Sequence, residues 1–227
     1  MYRWDIPGLS ACIVSDGEIA WCQGYGEADT DTGRLVTPDT PFMIASISKV
    51  FVAIAALQTV ESGELSLTES VADRLDYVLP DDAGDITPLH LLTHTSGIED
   101  DWGVLEADEV YGADSDLELH SYLESYLSPA GSRYADSHIS SHSPGEKWSY
   151  SNVGYALLAD VVAEATGQNF SARTQSMIFD PLGIEAHWFL ADIEDPDTLA
   201  RPHDVTRGQP EPLPHKGFPT WPDGQLR

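Results

Sequence analysis

Residues 41–57 read PFMIASISKVFVAIAAL and hold a single charged side chain, Lys49. The whole chain has three lysines, the others being Lys147 and Lys216. From Ser46 to Glu61 nearly every position is apolar or small, and Ser62-Gly63 supplies a stop, which predicts a helix over 46–61. A helix that is apolar all round is expected to be buried all round. A lysine in its first turn opposes the helix dipole, and burial penalises the ammonium further. As structure the placement is costly. As chemistry it offers a base.

Ser46 could serve only as an N-cap, but a capping box would then want Glu or Gln at position 49. Ser46 and Lys49 at i, i+3 share one helix face, so the amine can reach the hydroxyl and take its proton. The Ser46 backbone N–H, at the helix start, can support developing negative charge. A second pair follows a hundred residues on. Tyr150-Ser151-Asn152 precedes the apolar run NVGYALLADVVAEATG, and in an extended segment Tyr150 and Asn152 project to the same side. A phenol and a carboxamide would then face one site, the phenol suited to shuttling a proton.

Working outward, GLSACIVSDGEIAWCQGYG reads as a hairpin about Asp16-Gly17,. Apolar residues fall on both alternating sets of its strands, which predicts a sheet covered on both faces. With a two-residue turn Ser15 faces Glu18, so Cys12 should face Trp21 and Cys22 should face Ala11. The two thiols then point to opposite sides and are expected to be free. SLTESVADRL and TPLHLLTHTSG read as short helices,. The acidic stretch from Glu99 to Glu124 mixes loop with one helix and reads as a solvated surface rather than a cation site. SPAGSRYADSHISSHSPGEKW is a loop by composition.

The 227 residues carry 38 Asp plus Glu against 11 Lys plus Arg, a formal net charge of −27. Such a surface repels nucleic acid and anionic membranes, so neither is expected as a partner. Scarce lysine beside the acid excess fits adaptation to concentrated salt. The opening MYRWDIPGLS shows no apolar h-region and no stretch is long enough to span a bilayer, which makes a cytoplasmic location the expectation.

The stretches FMIASISKVFVAIAAL, LLTHTSGI, PGEKWSYSNVGYALLADVV and FDPLGI resemble, in order, serine β-lactamase-related hydrolases. Class C β-lactamases, family VIII carboxylesterases and penicillin-binding DD-peptidases belong to that group. The resemblance runs from IPGLS to PDGQLR. It implies an α+β, β-lactamase/transpeptidase-like fold, an antiparallel sheet packed by helices beside a helical region. By the same resemblance Ser46 is the acylated nucleophile, Lys49 its activator, Tyr150 the acid/base partner and Asn152 a substrate hydrogen-bonder. It implies a small ester, lactam or peptide substrate and no cofactor. The family's C-terminal helices and strands have no counterpart, so residues 1–227 are expected to form one domain, truncated at the C-terminus, with an incomplete sheet.

The family's third motif, Lys-Thr-Gly or His-x-Gly on a sheet strand, is matched in letters by His215-Lys216-Gly217. That match is rejected because it lies in Pro-rich sequence without strand character. His90/His94 and His138/His142 have i, i+4 spacing, but no HExxH pattern surrounds them, so no metal is expected. The absence of G-x-S-x-G excludes a nucleophile elbow. The expected function is a serine hydrolase acting through an acyl-enzyme on an ester or amide. The rival is a non-catalytic fragment or binding module that retains half of the pocket.

Overall fold

A computed structural model of the chain describes residues 6–206, 208 and 210–227, so the opening MYRWD lies outside the description. Strands β1 (Gly8–Ser15) and β2 (Glu18–Asp29) form the hairpin, and β3 (Arg34–Leu35) pairs with β2 in the order β1-β2-β3. Helix α1 (Ser48–Glu61) follows a 3-10 turn at Ala45–Ile47. Next come α2 (Pro88–Leu92), α3 (Trp102–Ala107), strand β4 (Val110–Tyr111), α4 (Leu119–Leu127) and α5 (Asn152–Thr166). α6 (Phe170–Thr174) and α7 (Asp180–Leu182) precede the two-residue strands β5 (His203–Asp204), β6 (Glu211–Pro212) and β7 (Lys216–Gly217). The mixture of antiparallel sheets and helices is the expected α+β, β-lactamase/transpeptidase-like fold.

Helix α5 is the axis of the core. Every residue from Asn152 to Val162 is buried, and each large apolar side chain there contributes about 1.5–3 kcal/mol of transfer free energy. Its ends are set locally. The Ser151 hydroxyl accepts the Gly154 N–H at 2.9 Å, and Gly167 closes the helix with a left-handed φ of 63°,. α1 packs on α5 through Val52, Ala55 and Ala56, and Tyr122, Leu123, Tyr126 and Leu127 of α4 join the same core. The sequence signal in SLTESVADRL yields only a 3-10 turn at Val71–Asp73, and the acidic stretch holds two helices instead of one.

Three expectations are corrected by the hairpin and α1. A β-bulge shifts the register: Ser15 pairs with Glu18 and Val14 with Ile19, but Ile13 pairs with Trp21. Ala20 is therefore the extra residue, and the slip brings Cys12 opposite Cys22. The two cysteines form a disulfide across the ladder, with Cα atoms 4.0 Å apart, and are not free thiols. Neither face of the hairpin tip is covered, since Ile13, Val14, Ile19 and Trp21 are all exposed. α1 is likewise buried on one side only, through Ser48, Lys49, Val52, Ala55, Ala56 and Thr59. Its other side leaves Val50, Ile54 and Leu57 exposed beneath Ile47 of the preceding turn. An all-round apolar helix here carries an uncovered apolar stripe.

Among the described residues no helix is long and apolar enough to cross a membrane.

Candidate active site

Ser46 sits in the 3-10 turn that leads into α1 and is exposed. Ala45 before it has a left-handed φ of 48°, a conformation that costs a non-glycine residue of order 1–3 kcal/mol. The turn is tied down where Ile44 N–H donates to Leu226 C=O at 2.9 Å. Lys49, only 6% exposed, lies one turn on and spends its three protons fully. Its Nζ donates to Ser46 Oγ at 3.2 Å, to Asn152 Oδ1 at 2.7 Å and to the Asp223 carbonyl at 2.6 Å. The buried ammonium is thus hydrogen-bonded on all sides, which is what its burial requires.

Tyr150 approaches from the opposite wall and its hydroxyl donates to Ser46 Oγ at 2.8 Å. Its ring lies with its centroid 5.1 Å from Lys49 Nζ. Asn152 opens α5, so the extended stretch before the helix carries Tyr150 and the first helical residue carries Asn152. Asp100 holds this junction. Its carboxylate accepts the backbone N–H of Asn152 (2.9 Å) and of Val153 (3.1 Å), the Ser151 hydroxyl (3.2 Å) and the Asn152 amide (2.8 Å). A carboxylate at a helix N-terminus meets both unpaired donors and the positive end of the dipole.

His94 braces Tyr150 from behind. It too has a left-handed φ, 55°, and its ring lies against Tyr150 and Tyr155 with centroids 4.4 and 4.8 Å away. Burial, and then the Lys49 charge, push its pKa down. The neutral ring fits the contact made by Nδ1, which accepts the Ser151 N–H at 3.2 Å.

A cleft of about 360 Å³ opens over Ser46, Tyr150 and Asn152 and is walled by Trp102, Phe218 and Lys216. Asp223, on its floor, is buried with its carboxylate 4.0 Å from Lys49 Nζ. Burial pushes the Asp223 carboxyl up to about 6, against the pull of Lys49. The stretch around Lys216 does have extended geometry, contrary to its composition: Lys216-Gly217 pairs antiparallel with Val110-Tyr111. That ladder stands apart from the β1-β2-β3 sheet. Lys216 itself is held at the cleft wall by Glu109, Nζ to Oε2 2.6 Å.

The four residues singled out from sequence therefore converge, and Asp100, His94, Asp223 and Lys216 are added by the fold. Chemically, Ser46 Oγ is a hydroxyl flanked by an amine and a phenol, open to a cleft. Both neighbours donate to it, so transfer of the Ser46 proton requires one of them to have released its own first. Among the described residues, the group of His, Asp and Glu side chains spaced for a metal lies outside this cleft, at His120, Asp160 and Glu164.

Residues 2–227 match the Beta-lactamase family, and the chain belongs to that family. Esterase EstB of Burkholderia gladioli is 36% identical over 217 residues, covering 92% of this chain and 52% of that protein. The octameric penicillin-binding protein homologue from Pyrococcus abyssi superposes with a TM-score of 0.76 at 25% identity, over 100% of this chain and 50% of its own. D-alanine carboxypeptidase AmpC from Burkholderia cenocepacia gives 0.72 at 26% identity, over 100% and 56%. The chain spans about half the length of these relatives.

Proposed function

We propose that this chain carries the nucleophile-bearing part of a serine hydrolase that works by acyl transfer on a small ester or amide. Ser46 attacks the carbonyl, Lys49 or Tyr150 receives its proton, and the same groups return a proton to the leaving group. Water then repeats the sequence on the acyl-enzyme, whose carbonyl oxygen is met by the Ser46 N–H. The observation that carries this reading is Ser46 Oγ held between Lys49 Nζ at 3.2 Å and Tyr150 hydroxyl at 2.8 Å at the mouth of a cleft. An ester is the preferred substrate, on the similarity to an esterase at 36% identity. Asn152, which lines the cleft, is the candidate hydrogen-bonder of the substrate, and Lys216 on the wall offers a cation to an anionic group,.

A fluorophosphonate probe tests the proposal. Labelling of the parent chain at Ser46, abolished in Ser46→Ala, is the expected result, and a parent chain that stays unlabelled while folded would overturn it. A second reading is a binding module that holds a ligand without turning it over. It is favoured by the donation of both Lys49 Nζ and Tyr150 hydroxyl to Ser46 Oγ, which leaves neither in the state that accepts the Ser46 proton,. Labelling without steady hydrolysis of a p-nitrophenyl ester would point to that reading.

A further inference from the structure

Helix α5 carries a second cluster of polar side chains beyond its active-site end. Asp160 is eight residues past Asn152, about 12 Å along the axis. It is 3% exposed, in a helix otherwise lined by apolar groups. Its Oδ2 lies 3.0 Å from Nδ1 of His120, the second residue of α4. Glu164, one turn further and exposed, lies on the same face of α5,. The nearest ligand atoms of His120, Asp160 and Glu164 are all within 4.8 Å of one another. On its far side His120 meets Asp76, Nε2 to Oδ1 2.8 Å.

Of the three carboxylates around this one imidazole, Asp160 is buried, with His120 as its partner, while Asp76 and Glu164 are exposed. A buried carboxylate needs a compensating partner. A separate observation concerns Tyr77. Its ring packs edge-on against His120, centroids 5.4 Å apart, and the residue is 7% exposed. The Tyr77 hydroxyl is buried without a hydrogen-bond partner. The charges that act on it are those of Asp160, Asp76, Glu124 and Glu164. A buried hydroxyl left unpaired in the native state calls for an explanation.

We propose that His120, Asp160 and Glu164 bind a divalent transition-metal ion of the zinc type, clamping α4 to α5 away from the Ser46 cleft. His120 Nδ1, Asp160 Oδ2 and a Glu164 carboxylate oxygen are the three protein ligands. A water completes a four-coordinate shell and gives the Tyr77 hydroxyl its partner. Ligand atoms about 2.0–2.1 Å from one ion stand about 3.3 Å apart. The 3.0 Å His120–Asp160 separation is already near that, and the exposed Glu164 side chain closes the rest. Asp76 then takes the role of a carboxylate that receives the other ring N–H and fixes the tautomer. The imidazole nitrogen selects against calcium and magnesium, which prefer all-oxygen shells.

The burial of Asp160 pushes its carboxyl up to about 6. For His120, burial works against the charged ring, but Asp76 and Asp160 outweigh it and the pKa rises. A proton on His120 Nδ1 or on the Asp160 carboxylate occupies the lone pair the ion would use, so zinc affinity should fall on acidification.

The test uses the full chain, stripped with chelator and titrated with zinc chloride at pH 7.5 by calorimetry and thermal melting. Magnesium chloride is the matched control. One equivalent of zinc should bind and raise Tm by roughly 5–10 °C at about a hundredfold excess over Kd. Glu164→Gln changes an exposed residue, so it should fold like the parent and lose most of that response; His120→Gln should lose all of it. The proposal is overturned if zinc leaves Tm unmoved, if magnesium acts equally, or if the response survives both substitutions, which would assign the ion to other side chains.

Discussion

Asp100→Asn should separate the capping of α5 from the chemistry at its tip. The substitution keeps the side-chain shape and removes one acceptor oxygen and the negative charge. Asp100 accepts the backbone N–H groups of Asn152 and Val153, the Ser151 hydroxyl and the Asn152 amide. Hydrogen bonds to a charged group contribute about 1.5–3 kcal/mol, and the charge–dipole contact at the helix start about 0.3–1 kcal/mol. Because the donors share one carboxylate their effects do not add, so the expected loss is about 2–4 kcal/mol. In a chain of this size that lowers Tm by about 4–16 °C. The amide that Asp100 anchors also presents Asn152 Oδ1 to Lys49 Nζ at 2.7 Å. Loosening it should slow labelling of Ser46 by about tenfold to a hundredfold. Circular dichroism melts and stopped-time probe labelling read the two effects. A variant that melts within about 1 °C of the parent and labels at the same rate would refute the account of Asp100 as the clamp of this junction.

Tyr150→Phe retains the ring against His94 and deletes only the hydroxyl on Ser46; acylation should fall about 10²–10⁴-fold with little change in Tm, measured on the same two assays. On pH, Asp160 and Asp223 are raised to about 6 and His120 is raised above its ordinary value. A raised folded pKa gives stability that is fully present below the unfolded value and lost as pH climbs through the folded one. Tm should therefore rise as pH is lowered from 8 towards 5, blunted by His94 and His215, whose pKa values are depressed; a Tm that falls steadily over that range would contradict these shifts.

Each half of the candidate site was legible because local geometry dictates it. An i, i+3 pair at a helix start must share a face, and Tyr150 and Asn152 flank a helix boundary that Ser151 marks. What escaped was what depends on remote neighbours. Nothing in EIAWCQ announces that Ala20 will bulge, yet that one residue converts two cysteines pointing apart into a facing pair. Asp100 and Asp223 are two of 38 acidic residues, with no spacing to separate a helix clamp or a cleft floor from solvated surface. His94 carried a signal, its place in LLTHTSG, but not its direction, since a left-handed φ at a histidine is invisible in one sequence. The Pro-rich setting of Lys216 hid a two-residue ladder whose partner, Val110-Tyr111, lies more than a hundred positions away.

The uncovered side of α1 and the bare hairpin tip set how this molecule behaves in a crowd. Ile47, Val50, Ile54 and Leu57, like Ile13, Val14 and Ile19 on the tip, offer other molecules an adhesive surface,. A net charge of −27 keeps copies apart while the Debye length is about 30 Å at 0.01 M salt,. Near 1 M it shrinks to about 3 Å. The ions that relieve crowding among carboxylates within one molecule therefore also let two molecules touch. Salt then acts twice, with opposite signs for the chain alone and for the solution. The protein should be firmest against unfolding at ionic strengths where it is also readiest to associate.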